Sequence, residues 1–234
     1  MAGDLPRPFA PGSRSRLGPR DLSRFPSESL FDRIARVVCE ADCLPRKELY
    51  EAWEVARRTR RRMRGGRVVD LACGHALLAH LLLVLDDSSP TAIAIDTRLP
   101  PSAATLHDAL TTAWPRLRGR VEIRSARLED VAVTEHDLVV SVHACGALTD
   151  RVLDTALASG ARVAVLPCCH DEEACDTGDL RGWLDVGTAI DATRAARVRA
   201  AGYAVHTQRI PAEITPQNRL LLAEPCRPLA QVPP

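Results

Sequence analysis

Residues 67–76 read Arg67-Val68-Val69-Asp70-Leu71-Ala72-Cys73-Gly74-His75-Ala76, and an apolar run follows from Leu77 to Leu85. A β-branched run holding one carboxylate, then small residues, then a helix-length apolar segment spells strand, tight turn, buried helix. Small residues let the backbone approach whatever lies beyond the strand end. The helix directs its unpaired N–H groups at the same place. Outward from this unit the pattern repeats. Strands are expected over 91–96 (TAIAID), 121–125 (VEIRS), 137–142 (DLVVSV) and 162–166 (RVAVL), with helices over 102–117, 148–159 and 180–201. The final strands, 203–209 and 219–224, are joined by a loop with no room for a helix and so pair antiparallel. This alternation predicts an α/β chain with a Rossmann-like sheet of seven strands, the last pair antiparallel, and helices on both faces.

Upstream the text is different. Residues 1–26 hold Pro6, Pro8, Pro11, Pro19 and Pro26 among Arg, Gly and Ser, which opposes a regular helix and predicts a flexible or draped arm. Residues 27–65 predict a helical N-terminal extension. Ser27 and Ser29 offer caps, Leu30, Phe31, Ile34, Val37 and Val38 recur at helical spacing, and a second helix over 46–63 follows Pro45. Its end is rich in arginine: Arg57, Arg58, Arg60, Arg61, Arg62 and Arg64, before Gly65-Gly66. The run reads equally as a solvated helix end, suited to the macrodipole, and as a contact for RNA phosphates. Residues 226–234 read as a tail.

The 234 residues are 46% hydrophobic and 26% charged, a globular composition with room for one large domain. Net charge is +1, so no global field calls for nucleic acid. The longest apolar stretch, 77–85, is interrupted by His80 and is too short to span a bilayer, so no membrane partner is expected. The first residues lack the apolar core of an export signal. A cytoplasmic protein is therefore expected, with its eight cysteines reduced. At 3% aromatic, the chain is poor in stacking platforms for single-stranded nucleic acid.

The first loop is of nucleotide-binding type. Asp96 ends the second strand, where a carboxylate accepts hydrogen bonds from ribose hydroxyls. The glycine pattern of dinucleotide sites is not met, since Ala72, Gly74 and Leu77 fill its positions. Asp70 would repel a pyrophosphate and favour a ligand carrying an ammonium or sulfonium charge. Asp-x-Ala-Cys-Gly-x-Ala resembles motif I of the class I S-adenosylmethionine-dependent methyltransferases, over about residues 66–224. The resemblance makes 66–225 a methyltransferase domain and S-adenosylmethionine its cofactor. The residues expected to hold that cofactor are Asp70, Ala72, Cys73, Gly74, His75, Asp96, Glu129, Asp130 and His143. The chain departs from the motif at Ala76, in place of the last glycine, and at Arg127, where an acid near the adenine is usual. Both departures also suit a nucleotide-binding module without catalysis.

A second constellation marks where chemistry would sit. The fourth strand runs into His143-Ala144-Cys145-Gly146-Ala147-Leu148-Thr149-Asp150, and the fifth into Pro167-Cys168-Cys169-His170. H-x-C-G-x-x-T-D followed by C-C-H is similar to the tRNA 2′-O-methyltransferase family with a CHHC zinc finger. It is also similar to the methyltransferase-like 25 and glutathione S-transferase C-terminal domain-containing families. The finger itself is missing near the N-terminus here, so the resemblance implies the pocket type and only a lean toward an RNA acceptor. A small molecule or a protein is the alternative. His143 and His170 are base candidates, and Cys145, Cys168 and Cys169 share their neighbourhood.

Plainer readings stand beside these. Thr149 and Asp150 can cap a helix, and the cysteines can be small buried fillers. Cys168, Cys169, His170 and Cys175, with His143 or Cys145, could supply four metal ligands, but adjacent cysteines are poor geometry for structural zinc, so no metal is expected. His75 either contacts ligand or covers the helix start. His80 reads as a satisfied core residue. Cys39 and Cys43 read as core positions four apart on one helix. Residues 216–219, in the loop joining the last strands, border the acceptor site or simply make the turn.

Overall fold

The computed structural model describes residues 9–226. Each apolar run of the alternation becomes a strand: β1 Val68–Leu71, β2 Ala92–Asp96, β3 Val121–Ser125, β4 Leu138–Ser141, β5 Arg162–Val165, β6 Tyr203–Arg209 and β7 Arg219–Pro225. They form one sheet in the order β3-β2-β1-β4-β5-β7-β6. β3, β2, β1, β4 and β5 are parallel. β7 runs antiparallel between β5 and β6. The order reverses between β1 and β4, which pair through Asp70 and Val140, so the crevice for a ligand lies beyond their carboxyl ends.

Strand pleating decides which side chains meet which layer. Val68 faces a core built with α1 (Leu30–Ala41), α2 (Arg46–Arg62), α3 (Leu77–Leu85) and α4 (Ser102–Ala113). Val69 and Leu71 face the other core, under α5 (Ala147–Ser159) and α6 (Val186–Ala200). Asp70 shares the parity of Val68 and is thereby set on the side of the N-terminal helices.

The described part of the N-terminal arm lies on the body. Its one regular element is a 3-10 segment, Pro19–Arg24. The amides of Leu17, Arg46 and Lys47 bond Leu44, Ser15 and Ser13 carbonyls at 2.9 Å each. Phe9 stacks edge-on against Phe25 and takes the Arg46 guanidinium over its face at 3.4 Å. Cys226 is the last described residue, and the rest of the expected tail lies outside the described residues. Among the described residues no helix is long and apolar enough to cross a membrane.

Three expected elements are shorter than the sequence suggested. The helix over 180–201 is broken: a 3-10 turn, Leu180–Gly182, precedes α6, and the Asp185 carboxylate caps α6 by accepting from Thr188 N at 3.0 Å. The helix over 102–117 stops at Ala113, because Pro115 cannot donate and opens a 3-10 turn instead. Cys39 and Cys43 do not share a helix, since Asp42 turns left-handed at φ 46 and ends α1.

Candidate active site

The turn after β1 is built from left-handed residues. Ala72, Gly74 and Ala76 have φ of 55, 55 and 60. Two of them are alanines, whose small Cβ tolerates what a larger side chain would not. Asp96, at the end of β2, holds this turn in place: one oxygen accepts from Gly74 N at 3.1 Å and the other from Arg98 N at 2.9 Å. Asp70 is fully buried and accepts from Ala79 N, inside the first turn of α3, at 3.1 Å. Burial pushes its carboxyl up to about 8; the Ala79 amide counters this and the Asp96 charge adds to it. Burial likewise raises the Cys73 thiol.

The N-terminal extension closes over the turn. Glu48 of α2 stands 3.7 Å from His75 Nδ1, and His75 Nε2 is 3.0 Å from the Ser102 hydroxyl on α4. His143, just past β4, packs on the same turn: a Cβ added at Gly74 would lie 3.4 Å from its ring. Glu48, Ala52, Asp70, Cys73, His75 and His143 line a void of about 10 Å³, room for one water at most. Burial raises the Glu48 carboxyl, but the His75 ring and the charges of His143 and Lys47 outweigh it and leave it below its ordinary value. Glu129 and Asp130 occupy a 3-10 turn after β3. The former is exposed and pairs with Arg151, and the latter accepts from Arg127 N at 3.0 Å.

The second constellation divides into two groups. Cys145 Sγ lies 2.9 Å from Cys168 Sγ, and Cys168 Sγ lies 3.8 Å from Cys169 Sγ. Burial raises the Cys145 and Cys168 thiols, which is unfavourable for a nucleophilic thiolate. His170 belongs elsewhere. Its Nε2 is 2.8 Å from Asp191 Oδ2, and its other ring edge packs on α6, where a Cβ at Gly187 would be 3.3 Å from Nδ1. Asp191 also accepts from Arg219 at 2.7 Å and Arg194 at 3.2 Å. Burial raises its carboxyl, yet the His170 ring and the Arg219 guanidinium hold it below the usual range. Beside this cluster a cavity of about 340 Å³ opens between α6 and the β5–β7–β6 edge, lined by Val165, Pro167, Ala195, Leu221, Asp191 and Arg219 among others.

The structure departs from the sequence reading at two places. Thr149 and Asp150 do not cap α5: Thr149 donates to Ala144 O at 2.6 Å, and Asp150 accepts from Arg194 at 2.6 and 3.1 Å. Cys175 does not join Cys168, Cys169 and His170; it is buried against Arg194 at 3.4 Å. The arginine run also divides. Arg60 is buried and donates to Leu82 O and Ser89 Oγ, while Arg57 and Arg58 pair with Glu54. Arg61, Arg62 and Arg64 are exposed, at the edge of the sheet where β1 begins, on the order of 15 Å from the turn that follows β1. His80 is buried as the sequence suggests. Burial lowers its pKa to about 4, so the neutral ring donates from Nδ1 to Ala76 O at 2.7 Å and accepts at Nε2 from His107 at 3.0 Å.

Glu48, Ser102, Asp191 and Arg194 were not singled out by the sequence. The signal available for Asp191 and Arg194 is their i, i+3 spacing on one helix face. None was available for Glu48, whose role depends on how the extension docks.

A family model described as a methyltransferase domain matches residues 47–175, more than half of the chain. The fold is similar to an O-methyltransferase family protein from Burkholderia thailandensis, at TM-score 0.52 and 20% identity over 88% of this chain and 62% of that one. It is similar also to the S-adenosylmethionine-dependent methyltransferase SibL in its apo form, at TM-score 0.50 and 20% identity over 92% of this chain and 67% of that one. The chain thus spans under two thirds of the length of the Burkholderia protein. No curated protein matches the sequence.

Proposed function

The chain belongs to the methyltransferase domain family, and from that premise we propose that it transfers a methyl group from S-adenosylmethionine to an RNA acceptor. The observation that carries the cofactor is Asp96 gripping Gly74 N. It puts a carboxylate for ribose hydroxyls against a turn with no bulky side chain at Ala72 or Gly74. The donor set fits a cationic, ribose-bearing group, because Asp70 supplies a second carboxylate on the same side. When bound, S-adenosylmethionine supplies a sulfonium methyl open to in-line displacement. Asp96 and Asp70 would hold the group, and the Ala72–Gly74 backbone would lie along it. His143, against the same turn, would take the proton of an acceptor hydroxyl or amine. Glu48, His75 and His143 fill the space in front of the turn, so they exclude water and must yield when a ligand enters.

The RNA acceptor, and with it the methyltransferase-like 25 and CHHC-type grouping, rests on the H-x-C-G-x-x-T-D and C-C-H motifs. Trp183 adds support: it is 89% exposed on the loop that follows Cys168-Cys169-His170 and offers a stacking face. A small-molecule acceptor is the second reading, favoured by the 340 Å³ cavity at Asp191 and Arg219. Calorimetric titration with S-adenosylmethionine and S-adenosylhomocysteine, with NAD as control, tests the cofactor. Binding of the first two alone supports the reading, and loss of that binding in Asp96→Ala places it at this turn. Absence of binding turns the reading toward a module without catalysis. Labelled-methyl transfer into total RNA, compared with metabolite extracts, then separates the two acceptors.

A further inference from the structure

We propose that Cys145, Cys168 and Cys169 bind a thiophilic metal ion of the Zn²⁺ class through three thiolates, with a fourth position open to solvent. The sulfur atoms come from neighbouring strand ends: Cys145 follows β4, and Cys168 and Cys169 follow β5. All three lie within 4.8 Å of one another. A tetrahedral zinc with Zn–S bonds of about 2.3 Å needs sulfurs about 3.8 Å apart. The Cys168–Cys169 separation of 3.8 Å is one such edge. The Cys145–Cys168 separation of 2.9 Å needs the two sulfurs to part by under 1 Å.

The backbone holds the loops together for this purpose. Gly146 N donates to Cys169 O at 3.2 Å, bridging the segment after β4 to the one after β5. Adjacent cysteines alone are poor tetrahedral ligands, and the third sulfur from another strand is what makes a usable set. Other nearby ligands are committed elsewhere, His170 to Asp191 and Cys175 to Arg194. Cys145 and Cys169 are exposed, so an outside ligand can reach the fourth position. Each thiol that ligates releases its proton to solvent. The donor set is soft, which selects a thiophilic ion over Mg²⁺ or Ca²⁺.

The test is a Cd²⁺ titration of the full chain, with the thiols kept reduced by a phosphine, followed by thiolate-to-metal charge-transfer absorbance and by displacement with Zn²⁺. The expected result is saturation at one equivalent. Cys168→Ser and Cys169→Ser should each weaken binding by at least about tenfold, while Cys226→Ser and Cys43→Ser leave it unchanged. Cys169 is exposed, so its serine variant keeps the fold even where Cys168→Ser does not. Absence of the band overturns the proposal, as does a band that survives both replacements together or is lost with Cys226. The readout needs no methyl donor, so its failure is separate from any failure of the cofactor reading.

Discussion

The Glu48 carboxylate, on the second helix of the N-terminal extension, lies 3.7 Å from Nδ1 of His75, in the turn that follows the first strand. The extension is therefore joined electrostatically to the ligand edge of the sheet. Because Glu48 sits below its ordinary value of 4.5 when folded, it contributes stability above that pH and loses it as pH falls through the folded value. Acid titration of the intact chain should show the extension loosening first. Glu48→Gln should flatten that acid limb by on the order of 0.5–1 kcal/mol, read by denaturant midpoints across pH 3–6.

Asp70 has the opposite sign. Its carboxyl is at about 8 when folded and 3.8 when free, so the folded chain binds more protons than the unfolded chain between these values. Stability attributable to Asp70 falls as pH rises through that window. Asp70→Asn should raise the unfolding free energy at pH 8 by on the order of 1 kcal/mol or more. A cation brought against Asp70 should expel its proton. S-adenosylmethionine titrated at pH 7 in buffers of different ionisation heat should show proton release in the parent chain and none in Asp70→Asn.

His143 and His170 should part company when each is replaced by alanine. His143 packs on the Gly74 turn, and its loss should lower kcat by about 10²–10⁴-fold with cofactor affinity kept. His170 is held at Nε2 by Asp191, and its Nδ1 edge faces α6 so closely that a Cβ at Gly187 would meet it at 3.3 Å. Its loss should lower the denaturant midpoint, and kcat should fall far less. Equal kinetic losses with unchanged stability would reverse this assignment.

Arg194 joins Asp150, Asp191 and Gly146 O, and its side chain is 3% exposed. Burial lowers its pKa, but the two carboxylates outweigh that and raise it. Arg194→Ala takes a buried donor from Asp150, Asp191 and Gly146 O, while Asp150 keeps Arg197 and Asp191 keeps His170 and Arg219. The expected cost is about 1–3 kcal/mol in equilibrium unfolding. A loss below 1 kcal/mol would show the cluster to be solvated.

The fold was legible because its strands and helices are set by contiguous apolar runs. The helix over 77–85 has the same bounds in sequence and structure, since a left-handed Ala76 and an extended Asp86 delimit it. The break ahead of α6 was not legible, because the Asp185 cap lies inside an otherwise helical pattern. The arginine run looked like one charged helix end, yet Arg60 falls four residues after Ala56, on the buried face. Helical spacing alone could have separated it from Arg61. The site was legible where a motif sits on one loop, as at Asp70 to Ala76. It was not where partners come from distant elements, as with Glu48 on His75 or Asp191 on His170.

β7 lies between β5 and β6, although β6 precedes it in the chain. During synthesis, residues 203–209 emerge with no sheet edge of their own to join, because their whole register is to residues 219–225. Until those residues leave the ribosome, β5 keeps an open apolar edge at Val163 and Val165, which is a template for a foreign strand. The nascent chain therefore completes its sheet late and in one step, two strands at once. Chaperone dependence and truncation products should concentrate in that interval.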